Sequence, residues 1–166
     1  MKKRVLIISL IVCFSLAIGC TVGAVMLKKA SEPQDKFSAI WSFAEKHKKE
    51  FESISSFSLK TDTDKLIKAG YFKFLKELSP DCVLENFDLL KTYDSFKIFD
   101  VTVSENGSAE KYLILIYADS ENAFIYEKAV YSDYSERADK LTSFIKCLDS
   151  SYPEMKAKAK LKQKIY

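Results

Sequence analysis

"SENGSAEKYLILIYADSENAFIY", residues 104–126, decides the fold. Two turn signals, Asn106-Gly107 and Asp119 to Asn122, enclose an almost wholly apolar run from Tyr112 to Ala118. Asn-Gly suits a type I′ turn, because both central residues must take positive φ, which Gly accepts freely and Asn tolerates. The spacing predicts a hairpin at 106–107, a central strand over 112–118 covered on both faces, and a second tight turn followed by a strand over 123–131. Upstream, Phe99, Val101 and Val103 alternate along 96–104, a strand with one apolar face. An earlier strand is expected over about 83–93, joined through Asp94-Ser95, although "LLKT" at 89–92 blurs its alternation.

Outside the strands the apolar period lengthens. Phe37, Ile40, Trp41, Ala44, Phe51 and Ile54 recur at helical spacing, with Lys46, His47, Lys48 and Lys49 on the outer side. A second helix is expected after Thr61 or Asp62, with Leu66, Ile67, Tyr71, Phe74, Leu75 and Leu78 as its buried stripe and Ser79-Pro80 as its end. Gly70 within it reads as a close packing contact. A closing helix is expected near 133–148, facing inward through Ala138, Leu141, Ile145 and Leu148, with Pro153 opening a tail.

This order predicts an α+β protein: an N-terminal membrane-spanning helix, two helices, a four-stranded antiparallel meander and a C-terminal helix, in a two-layer domain. In outline the arrangement is similar to cystatin-like folds, in which a meander curves around a helix. The likeness rests on element order across residues 35–131 and on no motif.

The anchor is read from Val5 to Leu27, which carry no charge. As a helix they span roughly 34 Å, enough for a hydrocarbon core of about 30 Å. Length argues for a retained span. Ala17-Ile-Gly19 before Cys20 also fits a lipoprotein signal, which makes Cys20 the candidate lipidation site, and an unlipidated cleaved signal is a third reading. Each of the three exports the rest of the chain. Lys2, Lys3 and Arg4 precede the run, so the N-terminus is expected in the cytoplasm and the body outside it. Ser15, Gly19 and Gly23 share one helix stripe on which two backbones can approach closely, a route to a homodimer.

The net charge of +3 conceals a division. All 23 acidic residues lie beyond position 30; residues 31–152 hold 16 basic against 22 acidic side chains, or −6. Residues 153–166 hold five lysines (Lys156, Lys158, Lys160, Lys162 and Lys164) against Glu154, or +4. Three segments follow: an anchor over 1–30, an exported domain over 31–152 and a basic tail over 153–166. An acidic body repels phosphate, so nucleic acid is not the expected partner. The lysines alternate with Ala157, Ala159, Leu161, Gln163 and Ile165, a pattern read as a frayed extension of the last helix or a mobile tail; its contacts are anionic surfaces (outer-leaflet lipid, an envelope polymer or the protein's own body), with a solubilising terminus without a partner as the alternative.

Chemistry leaves few signals. The sole histidine, His47, lies on a charged helix side, and with Glu50 it supplies only two ligands of a metal site. Four glycines, at 19, 23, 70 and 107, make no phosphate loop. No cofactor is expected. Cys82 and Cys147 are a disulfide candidate in an oxidising compartment, against two free thiols as the alternative. Tyr112, Tyr117, Phe124, Tyr126, Tyr131 and Tyr134 gather around the last two strands and are the candidate binding aromatics, because tyrosine offers apolar area and a hydroxyl at little entropic cost. The expected function is a membrane-anchored extracytoplasmic binding or assembly module for a partner protein or small ligand, not an enzyme. The alternative is a small cofactor-independent envelope hydrolase using acidic residues. A sheet edge or flat apolar patch favours the first, and two converging buried carboxylates favour the second.

Overall fold

The turn at 106–107 forms as its composition requires, with φ of 52° at Asn106 and 79° at Gly107. It joins β2 (Phe96–Glu105) to β3 (Ser108–Ala118) in a computed structural model that describes residues 37–54 and 62–166. The other described elements are α1 (Ser38–Lys46), α2 (Lys48–Ser53), α3 (Asp62–Leu78), β1 (Val83–Tyr93), β4 (Ala123–Val130), α4 (Tyr134–Ala159) and β5 (Gln163–Lys164). The class is α+β, and the sheet is antiparallel with the order β1-β2-β3-β4-β5. The anchor, with Ser15, Gly19, Cys20 and Gly23, lies outside the described residues. No described helix is long and apolar enough to cross a membrane.

The sheet is covered on both faces, which corrects the two-layer expectation. On one face Phe87, Phe99, Val101, Tyr112, Ile114 and Ile116 pack with Ile67, Tyr71 and Phe72 of α3. On the other, Phe96, Ile98, Leu113, Leu115 and Tyr117 pack with Phe144, Leu148, Met155 and Ala159 of α4. The reason lies in β3 itself. Every residue from Tyr112 to Ala118 is buried, so both faces of the strand need a cover, and each large side chain buried contributes about 1.5–3 kcal/mol. The second helical layer also departs from the cystatin-like outline, which places its helix on one side.

Three further boundaries moved. The single helix expected from 35 to 54 is broken at His47 (φ −106°, ψ 26°), whose ring stacks on Phe43 at 4.4 Å; the break lets Ile54 reach the core. Trp41 and Leu78, assigned to buried stripes, are 37% and 68% exposed. The last helix does not stop near Leu148. Pro153 sits inside it and cannot donate to the carbonyl of Asp149, and the chain kinks at Ser151 (φ −133°, ψ 17°) without ending the helix. Leu148, Tyr152, Met155 and Ala159 form one stripe on the sheet, and this packing carries the helix past the proline.

Of the two forms expected for 153–166, the extension of the last helix is present as far as Ala159, and in place of fraying or a mobile tail the remaining residues make an ordered return. After Ala159 the chain turns, and Gln163 and Lys164 pair with Ile125 and Phe124 as a fifth strand. Ile165 N–H donates to Ala123 O at 2.8 Å, and Ala123 N–H donates to Tyr166 O at 3.2 Å. Gly70 makes the docking possible: a Cβ there would stand 2.7 Å from Tyr166 Cδ1 and 3.0 Å from Ile165 Cγ2. The helix glycine is the close packing contact its setting implied.

Candidate functional site

The aromatic residues expected to line a groove are divided by the sheet. Tyr112 lies on the α3 face, where its hydroxyl and that of Tyr71 share a 2.8 Å hydrogen bond. Burial pushes the Tyr112 phenol up to about 12 and raises that of Tyr71 further. Tyr117, Phe124, Tyr126 and Tyr131 lie on the α4 face, the first two buried. There Phe96 meets Tyr117 and Tyr126 edge-on at 5.3 and 5.5 Å. Tyr134 is 80% exposed and stands apart from that packing. Strand alternation makes these side chains core, in two separate cores.

The buried carboxylates are divided in the same way, and each has a cation. Asp100 on β2 accepts from Arg137 Nε at 2.6 Å and from the Tyr131 hydroxyl at 2.5 Å, beneath the first turns of α4. Burial, with the Asp100 carboxylate second, pushes the Tyr131 phenol up to about 12. Asp64 on α3 pairs with Lys97 Nζ at 2.7 Å on the opposite face. One turn along, Lys68 is buried over the Phe51 ring at 4.7 Å, and burial holds its ammonium down to about 8. His47 Nδ1 and Lys76 Nζ flank Glu50 at 3.2 and 3.0 Å, an arrangement that holds the Glu50 carboxyl below the usual range. Among the described residues no group of three or more His, Cys, Asp or Glu side chains is placed to hold a metal ion.

Cys82 and Cys147 are both free, which corrects the disulfide expectation. Cys82 is buried near Tyr71 and Tyr112, where burial raises its thiol; Cys147 is exposed on α4 near Tyr126. The sheet stands between them. Of the tail lysines, Lys156 is 3.9 Å from Asp94, Lys158 is 3.9 Å from Glu154, and Lys162 covers the Tyr126 ring at 4.8 Å. Lys156 and Lys162 contact the acidic body itself, and Lys158 pairs within the tail. Lys160 and Lys164 are exposed.

What the structure adds is a strand at the margin of the sheet. β1 is first in the sheet order and pairs with β2 along the 11 residues from Val83 to Tyr93. Its inner face holds it firmly: Phe87 is fully buried and stacked on Phe99 at 4.5 Å. Its outer margin carries Val83 (52% exposed) and Leu89 (36%), together with Glu85, Asp88 and Lys91. The register against β2 slips between Leu84 and Asn86 and again between Leu89 and Lys91, which leaves Asn86 to Leu89 as a regular stretch between two bulges. The second bulge accounts for the blurred alternation of "LLKT". A signal for the edge was present in the sequence, since the first strand of a meander has one neighbour at most within that meander. The chain matches no family model, no curated protein and no solved structure.

Proposed function

We propose that the chain is a membrane-anchored extracytoplasmic binding or assembly module that docks a partner protein along β1. The observation that carries this reading is the exposed apolar surface of Val83 and Leu89 on the first strand of the sheet, beside exposed Glu85 and Lys91. A partner laid against these side chains would cover their apolar surface and take its specificity from the charges of Glu85 and Lys91 beside them. The placement of the carboxylates supports a module over a hydrolase: Asp64 and Asp100 face opposite sides of the sheet, each neutralised by a cation, and cannot act on one substrate together. The anchor and its orientation rest on the uncharged run and its flanking lysines and arginine.

Two measurements test the reading. A photo-crosslinking amino acid at Leu89 of the full chain, irradiated in intact membranes, should capture a protein, and the same probe at exposed Lys160 should not. Exposed Cys147 should react with a membrane-impermeant maleimide on whole cells. Labelling of Cys147 only after lysis would place the domain on the wrong side of the membrane.

A further inference from the structure

We propose that Leu161 and the four lysines around it, Lys158, Lys160, Lys162 and Lys164, form a contact for the surface of a bilayer that contains anionic phospholipid. The inference goes beyond docking at β1 and uses a different part of the molecule. Leu161 sits in the turn between α4 and β5 and is 85% exposed, the most exposed large apolar side chain among the described residues. The turn is made by the backbone. Leu161 N–H donates to Lys158 O and Lys162 N–H donates to Ala159 O, each at 3.0 Å. Fully buried Ala159 before the turn and the pairing of Gln163 and Lys164 with β4 after it fix both ends. A leucine so little used by the core is available to a surface outside the protein.

A single exposed leucine would carry no meaning by itself. Its neighbours supply one. Residues 158–164 hold four lysines and no acid, and all but Ala159 are exposed. The end of α4 accounts for Lys156 and Lys158, cations beside its last carbonyls, but Lys162 and Lys164 lie beyond it. Internal partners hold these lysines weakly: Lys158 meets Glu154 at 3.9 Å with both side chains exposed, and Lys162 covers the Tyr126 ring at 4.8 Å. Asp119, in electrostatic reach of Lys160, is engaged by its own turn, accepting from Glu121 N–H and Asn122 N–H at 2.8 Å each. Lysine ammoniums can stay at lipid phosphates while the leucine reaches the apolar boundary beneath them. A soluble polyanion offers the charge but no apolar layer for Leu161. Tyr166, two residues past Lys164, meets the Phe37 ring edge-on at 5.4 Å, and Phe37 follows the uncharged run by ten residues of sequence. A domain tethered to a bilayer through Phe37 meets that surface at high effective concentration, so one leucine and four lysines suffice for a contact.

The test places the fluorescent amino acid dansylalanine at position 161 of the full-length protein, in vesicles of phosphatidylcholine with or without phosphatidylglycerol. Emission should shift to the blue in the anionic vesicles and be quenched there by nitroxide-labelled lipid. It should stay water-like in phosphatidylcholine alone and return to that state at high salt. The same probe at Tyr134, 80% exposed at the start of α4, should stay water-like in both. Each single Lys→Gln change among the four should lower the ratio of bound to free tip about fivefold. Glu154→Gln releases Lys158 from its partner and should raise that ratio. With the probe moved to Gln163, Leu161→Gln should lower it roughly tenfold. Equal shifts in the two kinds of vesicle, no shift in either, or an equal shift at Tyr134 overturns the proposal. Lysine changes that leave the ratio unchanged do the same. A shift given by soluble polyphosphate and not by vesicles overturns it in favour of a polymer. If alkaline carbonate strips the protein from anionic vesicles that gave the shift, the contact stands and the anchor falls. If the protein stays embedded without a shift, the anchor stands and the contact falls.

Discussion

At one margin of the sheet β4 is met by Gln163 and Lys164, and the Tyr166 ring closes over Gly70 to seal the corner. At the other margin β1 runs for 11 residues with Phe87 stacked on Phe99 and with Val83 and Leu89 exposed. The closed edge draws on the last residues described, brought back by a helix that continues through a proline. The β1 margin is longer, carries both signs of charge and is bent by two bulges. Exposed strand edges invite association, and proteins commonly blunt them with charges and bulges. Here one edge is covered outright and the other is shaped. A covered edge serves stability, whereas the shaped one is where the proposed partner would dock.

The largest expected effect comes from opening the closed edge. Tyr166→Ala removes the ring above Gly70 and should cost about 2–4 kcal/mol by urea unfolding. Gly70→Leu should displace the same ring, so the two changes together should cost little more than either alone. Costs that add would show that Tyr166 and Gly70 do not act through one contact.

Next is the cluster that seats α4, the helix that carries the chain back to β4. Arg137→Met leaves the Asp100 carboxylate with only the Tyr131 hydroxyl of its two partners, at a cost of about 2–4 kcal/mol. Adding Asp100→Asn should recover part of that loss, because the buried charge goes with it. A double variant weaker than Arg137→Met would sink this account.

The third prediction concerns Lys68, near Asp88 of β1. Its folded form releases a proton near pH 8, whereas the unfolded chain holds that proton to about 10.5. Between those values the unfolded state binds more protons, so this group makes stability rise with pH. Tyr112 and Tyr131 work the other way above pH 10, since the folded state keeps protons the unfolded state loses. Wild-type stability minus that of Lys68→Met should therefore increase by on the order of 1 kcal/mol from pH 7 to 9.5, after allowance for solvent screening. A difference that stays constant across that range refutes the assignment.

The smallest stability effect is expected at the edge itself. Leu89→Lys should change unfolding free energy by less than about 0.5 kcal/mol, because the side chain is exposed and the inner face is untouched. It should nonetheless abolish association along β1, a separation of binding from folding that no substitution at the closed edge can give.

The strands were legible because their signals are local. Asn106-Gly107 demands a turn whatever surrounds it, and the apolar run from Tyr112 to Ala118 could only be a buried strand. Gly70 was legible as a contact, since a helix tolerates glycine poorly without a reason. The candidate site was not. Tyr112 and Tyr117 sit five residues apart on one strand and so point to opposite faces, a consequence of period two that aromatic density conceals. Cys82 and Cys147 make an even pair in composition, yet the sheet lies between them.

By itself, then, the sequence determined the order of the elements, the turns, the meander and the division of charge, all properties of neighbours along the chain. Tertiary structure alone decided that α4 would pass Pro153, that Tyr166 would find Gly70, and that the β4 margin would be covered by the returning chain. Those outcomes depend on what packs against what: Met155 and Ala159 hold a helix past a proline only because the α4 face of the sheet is there to receive them.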